Sequence, residues 1–406
     1  MKILQINKFF FLKGGAERYF FDLSELLTEK GHQVLAWSTQ HPQNFPWPDQ
    51  EDFAQFNDLS KREGLGKDLK KIRGIFWNKE AKEKLGKLIR REKPEIAHLH
   101  NIFSHLSPSI IFALKKRQIP IVLTLHDYKL FCPNYQFFSQ GKICFDCLKK
   151  KNYHSCLSKK CIKNSSIKSL IGYLEAKWQK DFLKVAQKID IFLAPSLYMK
   201  RKALAWGIPA EKIIHLPYFV NKSQNFSRKR NQYILYFGRL SQEKGIEFLI
   251  KTFLKALDIP LKIVGQGPQR NKLEKLAKNR RKKIEFLGEK KGQQLKEIIS
   301  EAYLTIVPSL WPENFPYAIL ESFALAKPIL AAKVGGLPEL VKNKQTGLLF
   351  KPNNQDDLKE KIIWASQHPK EMEKMGQTAQ KEVLAKYNSE KHYQKLIKIY
   401  ERIKNN

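Results

Sequence analysis

LTIVPSLWPENFPYAILE, residues 304–321, sets the architecture of this chain. Leu304–Val307 is a short apolar run that suits a buried strand. Pro312-Glu313-Asn314-Phe315-Pro316 is a turn segment, and an apolar helix opens after it. Strand, turn and helix in that order are the unit of a wound parallel sheet. The first N–H groups of such a helix have no intrahelical partner and attract phosphate. Glu313 and Glu321 have the wrong sign for phosphate. A carboxylate accepts two neighbouring O–H donors, so the pair suits sugar hydroxyls. Phosphate donors beside hydroxyl acceptors point to a nucleotide-sugar site.

The same unit recurs on either side. Met1–Asn7 reads as a strand, and Ala16–Lys30 as a helix with Tyr19, Phe20, Leu23, Leu26 and Leu27 at helical spacing, stopped by Gly31. Gln33–Ser38, Ile96–His100, Ile121–Leu125 and Ile191–Pro195 read as further strands. The pattern restarts after Pro217 with strand Tyr233–Phe237, a helix from about Ile246 to Ala256, and strands Leu261–Val264, Lys283–Leu287 and Pro328–Ala332. The expected fold is α/β, with two doubly wound Rossmann-like domains facing a cleft. The expected division is 1–217 and 218–387, with a helix over 388–406 able to pack back on the first domain. A chain of 406 residues is long enough for two cores.

The formal charge is +35, from 74 basic and 39 acidic residues. Nucleic-acid binding predicts a basic patch interleaved with aromatic stacking motifs. Here the charge runs the whole length, so no nucleic-acid partner is expected. An anionic membrane surface and plain compositional bias both fit. No apolar run reaches about 18 residues, the length of a membrane span. The first ten residues, MKILQINKFF, are short of a signal peptide and lack its cleavage site. The expected place is the cytoplasm, with peripheral attachment to the inner face of the membrane.

Several motifs follow strand ends. Gly14-Gly15-Ala16-Glu17 opens the first helix, where a ligand can approach bare backbone; a structural loop is the plain alternative. Gly238-Arg239-Leu240 and Lys244-Gly245 follow the first strand of the second domain. Arg239 offers phosphate two parallel N–H bonds and Lys244 a point charge. Gly265-Gln266-Gly267-Pro268 is either an ordinary turn or a backbone contact to base or ribose. In Ala97-His98-Leu99-His100 alternation puts both imidazoles on one face. They read as packing of the cleft floor, whereas His126, beside Asp127 at a strand end, reads as functional.

The five cysteines, Cys132, Cys144, Cys147, Cys156 and Cys161, cluster in one Lys- and Asn-rich insertion spanning about 132–161. Cys144-x-x-Cys147 is half of a zinc site, and Cys156 and Cys161 supply a second half, with Cys132 and His154 as spares. A structural zinc ion, free thiols and redox chemistry are the three readings. Lys67–Lys93 sets Leu69, Ile72, Ile75, Phe76, Trp77, Leu85, Leu88 and Ile89 among many basic residues. It reads either as a basic amphipathic surface for anionic lipid or as core-packed helix with a solvated face.

Taken together these motifs resemble the retaining glycosyltransferases of family four, which have the GT-B fold. The resemblance runs from Gly14-Gly15-Ala16-Glu17 through His126-Asp127 and Gly238-Arg239-Leu240 with Lys244-Gly245. It ends at Glu313…Glu321 and Gly335-Gly336-Leu337-Pro338-Glu339. It implies transfer of a sugar from a nucleoside diphosphate, UDP or GDP, to a lipid-linked or surface-polysaccharide acceptor. A soluble acceptor, such as a sugar phosphate or a glucan, and a non-catalytic nucleotide- or nucleic-acid-binding role are the alternatives. By resemblance, Arg239 and Lys244 bind the donor diphosphate, Glu321 the ribose hydroxyls and Glu313 the transferred sugar. The backbone of Asn314, Phe315, Pro316 and Tyr317 approaches sugar and phosphate. Gly14, Gly15, Gly238, Gly265 and Gly267 line the donor, and His126 sits beside the reacting sugar. No catalytic cofactor is implied: there is no Asp-x-Asp signature, and cationic side chains take the place of a metal ion. Asn221 stands where the family often has Asp, and the cysteine insertion is absent from many members.

Overall fold

The computed structural model describes residues 1–59, 61, 63–220, 233–254, 259–278 and 283–405. Asn221 lies outside them. The chain divides into two compact units. Met1–Gln140, Cys144–Leu216 and Tyr393–Asn406 form the first; Gly141–Ile143 and Pro217–His392 form the second.

The first unit holds strands β1 (Lys2–Ile6), β2 (Gln33–Trp37), β3 (Ile96–Leu99), β4 (Ile121–Thr124), β5 (Ile191–Ala194) and β6 (Ile213–His215). All are parallel, in the order β6-β5-β4-β3-β1-β2. β3, β4 and β5 are buried at every position. That is why they read as unbroken apolar runs and not as alternation: helices cover both faces of a parallel sheet. Helix Gly15–Glu29 buries Tyr19, Phe20, Leu23, Leu26 and Leu27, and ends at Gly31 with φ 82°. The chain returns to this unit along helix Ser389–Lys404, which buries Leu396 and Tyr400 fully.

The second unit repeats the plan with β7 (Ile234–Phe237), β8 (Leu261–Val264), β9 (Ile284–Gly288), β10 (Leu304–Val307), β11 (Ile329–Ala332) and β12 (Gly347–Phe350). Their order is β9-β8-β7-β10-β11-β12, again parallel. Both units are therefore doubly wound Rossmann-like domains. The strand order reverses between β1 and β3 in one and between β7 and β10 in the other. Ligands of such sheets bind beyond the carboxyl ends at that reversal.

In the second unit the strand-end loops lie backbone against backbone. The Leu240 N–H donates to Gln266 O at 2.8 Å, and the Leu310 N–H to Glu243 O at 2.8 Å. The Gly336 N–H donates to Glu313 O at 2.7 Å. Two glycines make this approach possible. Gly265 has φ 139°, and a Cβ there would sit 3.0 Å from the Gly238 carbonyl carbon and closer still to its oxygen. Gly335 has φ 61°, and a Cβ would press on Glu313 N and Pro312 C at 2.6 Å. By contrast, a Cβ at Gly14 would meet only Glu17 Oε2, at an ordinary 3.6 Å. Gly335→Ala is expected to cost about 2–4 kcal/mol, from strain and displaced backbone. Gly14→Ala is expected to cost less than about 0.5 kcal/mol. Thermal unfolding of both variants checks this; equal midpoints would contradict it.

Candidate active site

The turn after β10 carries Glu313, and the loop after β7 carries Arg239 and Lys244. The Lys244 ammonium donates to Glu313 Oε1 at 2.6 Å, and the Ser309 hydroxyl donates to the same oxygen at 2.6 Å. Oε2 takes part in neither bond. The Glu313 side chain is 5% exposed and that of Lys244 is 25% exposed. A pair this dry is held in one geometry, because breaking it leaves a charge without solvent. The Lys244 ammonium also sits 5.3 Å from the Trp311 ring centroid.

Arg239 is exposed, at the mouth of β7. Among the described residues no carboxylate pairs with its guanidinium, so its donors are available to an anion. Its carbonyl is pinned by the Tyr236 hydroxyl at 2.9 Å. Asn314, Phe315 and Tyr317 are buried, and Tyr218 stacks on Tyr317 at 5.3 Å. Helix Tyr317–Ala324 starts without a side-chain cap and carries Glu321, half-buried, on its second turn. Gly238, Gly265 and Gly267 lie on the two adjoining strand-end loops. The sequence placed Lys244 and Glu313 in one neighbourhood; the direct bond between them, 69 residues apart, it did not reveal.

In the first unit a polar network runs beneath the strand ends. The His126 and His100 rings stack at 5.2 Å, with His126 Nε2 and His100 Nδ1 2.9 Å apart. His100 Nε2 lies 2.6 Å from Gln5 Oε1. With that oxygen as acceptor, His100 carries its proton on Nε2 and His126 donates from Nε2. His98 stacks on His100 at 4.5 Å, and its nitrogens meet Thr124 Oγ1 at 2.7 Å and the Tyr400 hydroxyl at 2.6 Å. Both expected strand histidines thus share one face. Burial, with nearby Lys8, lowers His126 to about 3, and burial holds His100 well below its ordinary value. His126 is therefore a neutral imidazole. Asp127 Oδ1 accepts the Lys129 N–H at 2.9 Å. Gly14 and Gly15 begin helix Gly15–Glu29 with no side-chain cap.

The Lys67–Lys93 segment proves to be two helices with different roles. Lys79–Glu92 buries Ala81, Leu85, Leu88 and Ile89 and is core-packed. Leu65–Phe76 leaves Leu65 87% and Leu69 60% exposed. It packs beside helix Ser166–Lys177, whose Ile167, Leu170 and Leu174 are also exposed. Lys67, Lys70, Arg73, Lys168 and Lys177 are exposed on the same two helices. Among the described residues no helix is long and apolar enough to cross a membrane.

The cysteine insertion occupies the β4–β5 connection. All five thiols line one small cavity. Burial, with neighbouring thiols adding, pushes Cys132 and Cys147 up to about 12. His154, a spare ligand by spacing, is exposed, and its ring lies against Tyr173, away from the cavity.

A family model described as Glycosyltransferase Family 4 matches residues 13–224, and one described as Glycosyl transferases group 1 matches residues 219–382. An uncharacterized glycosyltransferase of Methanocaldococcus jannaschii is 32% identical over 185 residues, 45% of this chain and 52% of that protein. The chain thus spans about half the length of that curated relative. An uncharacterized 42.6 kDa protein in the cps region of Klebsiella pneumoniae is 25% identical, covering 84% of this chain and 87% of its own length. Among solved structures, Anabaena HepE in complex with UDP-glucose superposes with a TM-score of 0.70 at 16% identity, over 99% of this chain and 100% of that one. At that identity the likeness establishes the fold alone, which is GT-B.

The buried imidazoles make stability depend on pH. His100, His105 and His126 have folded values below the ordinary 6.5, from burial first. Below about 6.5 the unfolded chain takes up the proton before the folded one does. Stability is therefore full above that value and falls by about 1.4 kcal/mol per pH unit per histidine as pH drops toward 3. A thermal midpoint that is level above about pH 6.5 and falls steadily from there to pH 5 is expected. A flat midpoint would mean these rings are already charged or hydrated in the fold.

Proposed function

Because the chain belongs to Glycosyltransferase Family 4, we propose that it is a retaining enzyme moving a sugar from a nucleoside diphosphate to a lipid-linked or surface-polysaccharide acceptor. The observation that carries the reading is the second unit's strand-end cluster. It carries an exposed guanidinium, Arg239, on the same loop as Lys244, which with Ser309 locks the Glu313 carboxylate through one oxygen.

The chemistry follows from charge. The bond between the anomeric carbon and the donor phosphate breaks, and its electron pair leaves with the diphosphate. Arg239 and Lys244 neutralise that charge in place of a metal ion. Glu313 Oε2 accepts a hydroxyl of the transferred sugar, and Glu321 accepts the ribose hydroxyls. The acceptor oxygen bonds to the anomeric carbon on the face the phosphate leaves. Its proton passes to the departing phosphate oxygen. His126 takes its implied part beside the sugar as a neutral ring; an imidazolium would oppose the positive charge of the oxocarbenium-like transition state.

Three observations support the surface-glycan acceptor and the membrane. The Klebsiella relative lies in a cps region. The net charge is +35. Leu65, Leu69, Ile167, Leu170 and Leu174 stand exposed among exposed lysines and Arg73. Apolar side chains ringed by basic ones match an anionic bilayer, where each cation contributes about 1 kcal/mol. The reading places the enzyme on the cytoplasmic face of the membrane.

Transfer from UDP- and GDP-sugars to a lipid-linked acceptor fraction, followed by NMR of the product anomer, tests the activity. Retained configuration is expected, slowed about 10²–10³-fold by Arg239→Ala or Glu313→Gln. Inversion, or preference for a soluble sugar phosphate, would contradict it. Flotation with anionic vesicles tests the membrane. Wild type is expected to float and the Leu69→Glu, Ile167→Glu double variant to stay behind, with an unchanged thermal midpoint. A wild type indifferent to vesicles would remove this part of the account.

A further inference from the structure

We propose that the β4–β5 insertion is organised by one structural zinc ion held by Cys132, Cys144, Cys147 and Cys161, with Cys156 left outside the coordination shell.

The first ground is convergence. Five cysteines spread over residues 132–161 all line one small cavity. That is space for a single small occupant. Within the cavity the thiols are not equivalent. The Cys156 and Cys161 sulfurs lie 2.9 Å apart, and Cys156 Sγ lies 3.7 Å from the Ser169 carbonyl oxygen. Two sulfurs on one tetrahedral zinc lie about 3.8 Å apart, given Zn–S bonds of about 2.3 Å. Cys156 and Cys161 are too close to be joint ligands, which leaves Cys156 as the outer group. As placed, no group of three or more His, Cys, Asp or Glu side chains among the described residues is arranged to hold a metal ion. Loading therefore requires the thiols to turn inward, chiefly Cys161 away from Cys156.

The second ground is that the segment has little regular secondary structure of its own. Tyr135, Phe137, Gln140, Lys151, Lys160, Lys163 and Asn164 all have positive φ. Each costs roughly 1–2 kcal/mol for a residue with a Cβ. Helices Asp146–Lys150 and His154–Ser158 are only five residues each. Its buried apolar side chains, Phe137, Phe138, Leu148 and Tyr153 among them, gather in small groups such as that of Cys147, Tyr153 and Ala176. Metal binding supplies folding free energy to such a segment directly.

The third ground is charge. Zinc with four thiolates carries a net charge of −2. The Lys159 ammonium, paired with Asp146 at 2.6 Å, also lies 3.5 Å from Cys144 Sγ. The buried Lys129 ammonium donates to Pro133 O at 3.1 Å and pairs with Glu175 at 2.7 Å, tying the insertion to the loop that bears His126. Four thiolates close the shell, so the ion braces this loop and performs no chemistry.

The full chain, expressed with zinc in the medium and dialysed, would be assayed for metal by plasma mass spectrometry and by native mass spectrometry. One zinc per chain is expected, and cobalt substitution should give the spectrum of a tetrahedral thiolate site. Cys132→Ser and Cys144→Ser should fall below half occupancy, while Cys156→Ser and His154→Ala keep the metal. Wild type without zinc overturns the proposal, whether or not the variants fold. So does a Cys156–Cys161 disulfide in protein alkylated before any reduction. Zinc lost in Cys156→Ser but kept in Cys132→Ser overturns the ligand assignment.

Discussion

Much of the second unit rests on a single constraint: four strand-end loops must touch by their backbones. The loops after β7, β8, β10 and β11 meet through hydrogen bonds such as Leu310 N–H to Glu243 O and Gly336 N–H to Glu313 O. No side chain fits between them at Gly265 or Gly335. This packing places Lys244 and Ser309 on one oxygen of Glu313. A positional error of even 1 Å in a site of this kind degrades catalysis, so rigidity is part of the chemistry.

Electrostatics then divides the labour. Glu313 is buried and compensated; Arg239 is exposed at a strand mouth. Among the described residues no carboxylate occupies that guanidinium. In the first unit the choice is the opposite: burial strips charge from His126 and His100 and leaves a neutral, hydrogen-bonded stack. Part of the chain's basic surplus, Lys67, Lys70, Arg73, Lys168 and Lys177, lies on two helices that also expose apolar residues.

The strand core was legible because parallel strands covered on both faces read as apolar runs. Leu261–Val264 and Leu304–Val307 coincide with β8 and β10, and other expected strands differ by a residue or two at their ends. The missed strands of the two six-stranded sheets, β6 and β12, are sheet edges. An edge strand pairs on one side only, and Ile213–His215 is too short to show a pattern. The strand-end motifs were legible because glycine and charge at such positions have few structural uses. What could not be read were contacts across the sequence. Tyr400 meets His98 across 302 residues, and nothing local announces it. The helix Leu65–Phe76 and its neighbour Lys79–Glu92 looked alike in composition, and only tertiary packing separated an outward apolar face from a core one. His154 failed as a ligand candidate for the same reason: spacing fixes where a residue is in the chain, not which way a five-residue helix turns it.

The central claim is that the second unit receives a nucleoside diphosphate through Arg239 and the Lys244–Glu313 pair. Isothermal titration of the folded chain with UDP, GDP and ADP tests it most directly, alongside Arg239→Ala. The account predicts selective binding of one nucleotide, weakened at least about tenfold in the variant, as loss of one charge-assisted contact implies. Binding of none of the three, or equal binding by wild type and variant, would contradict it.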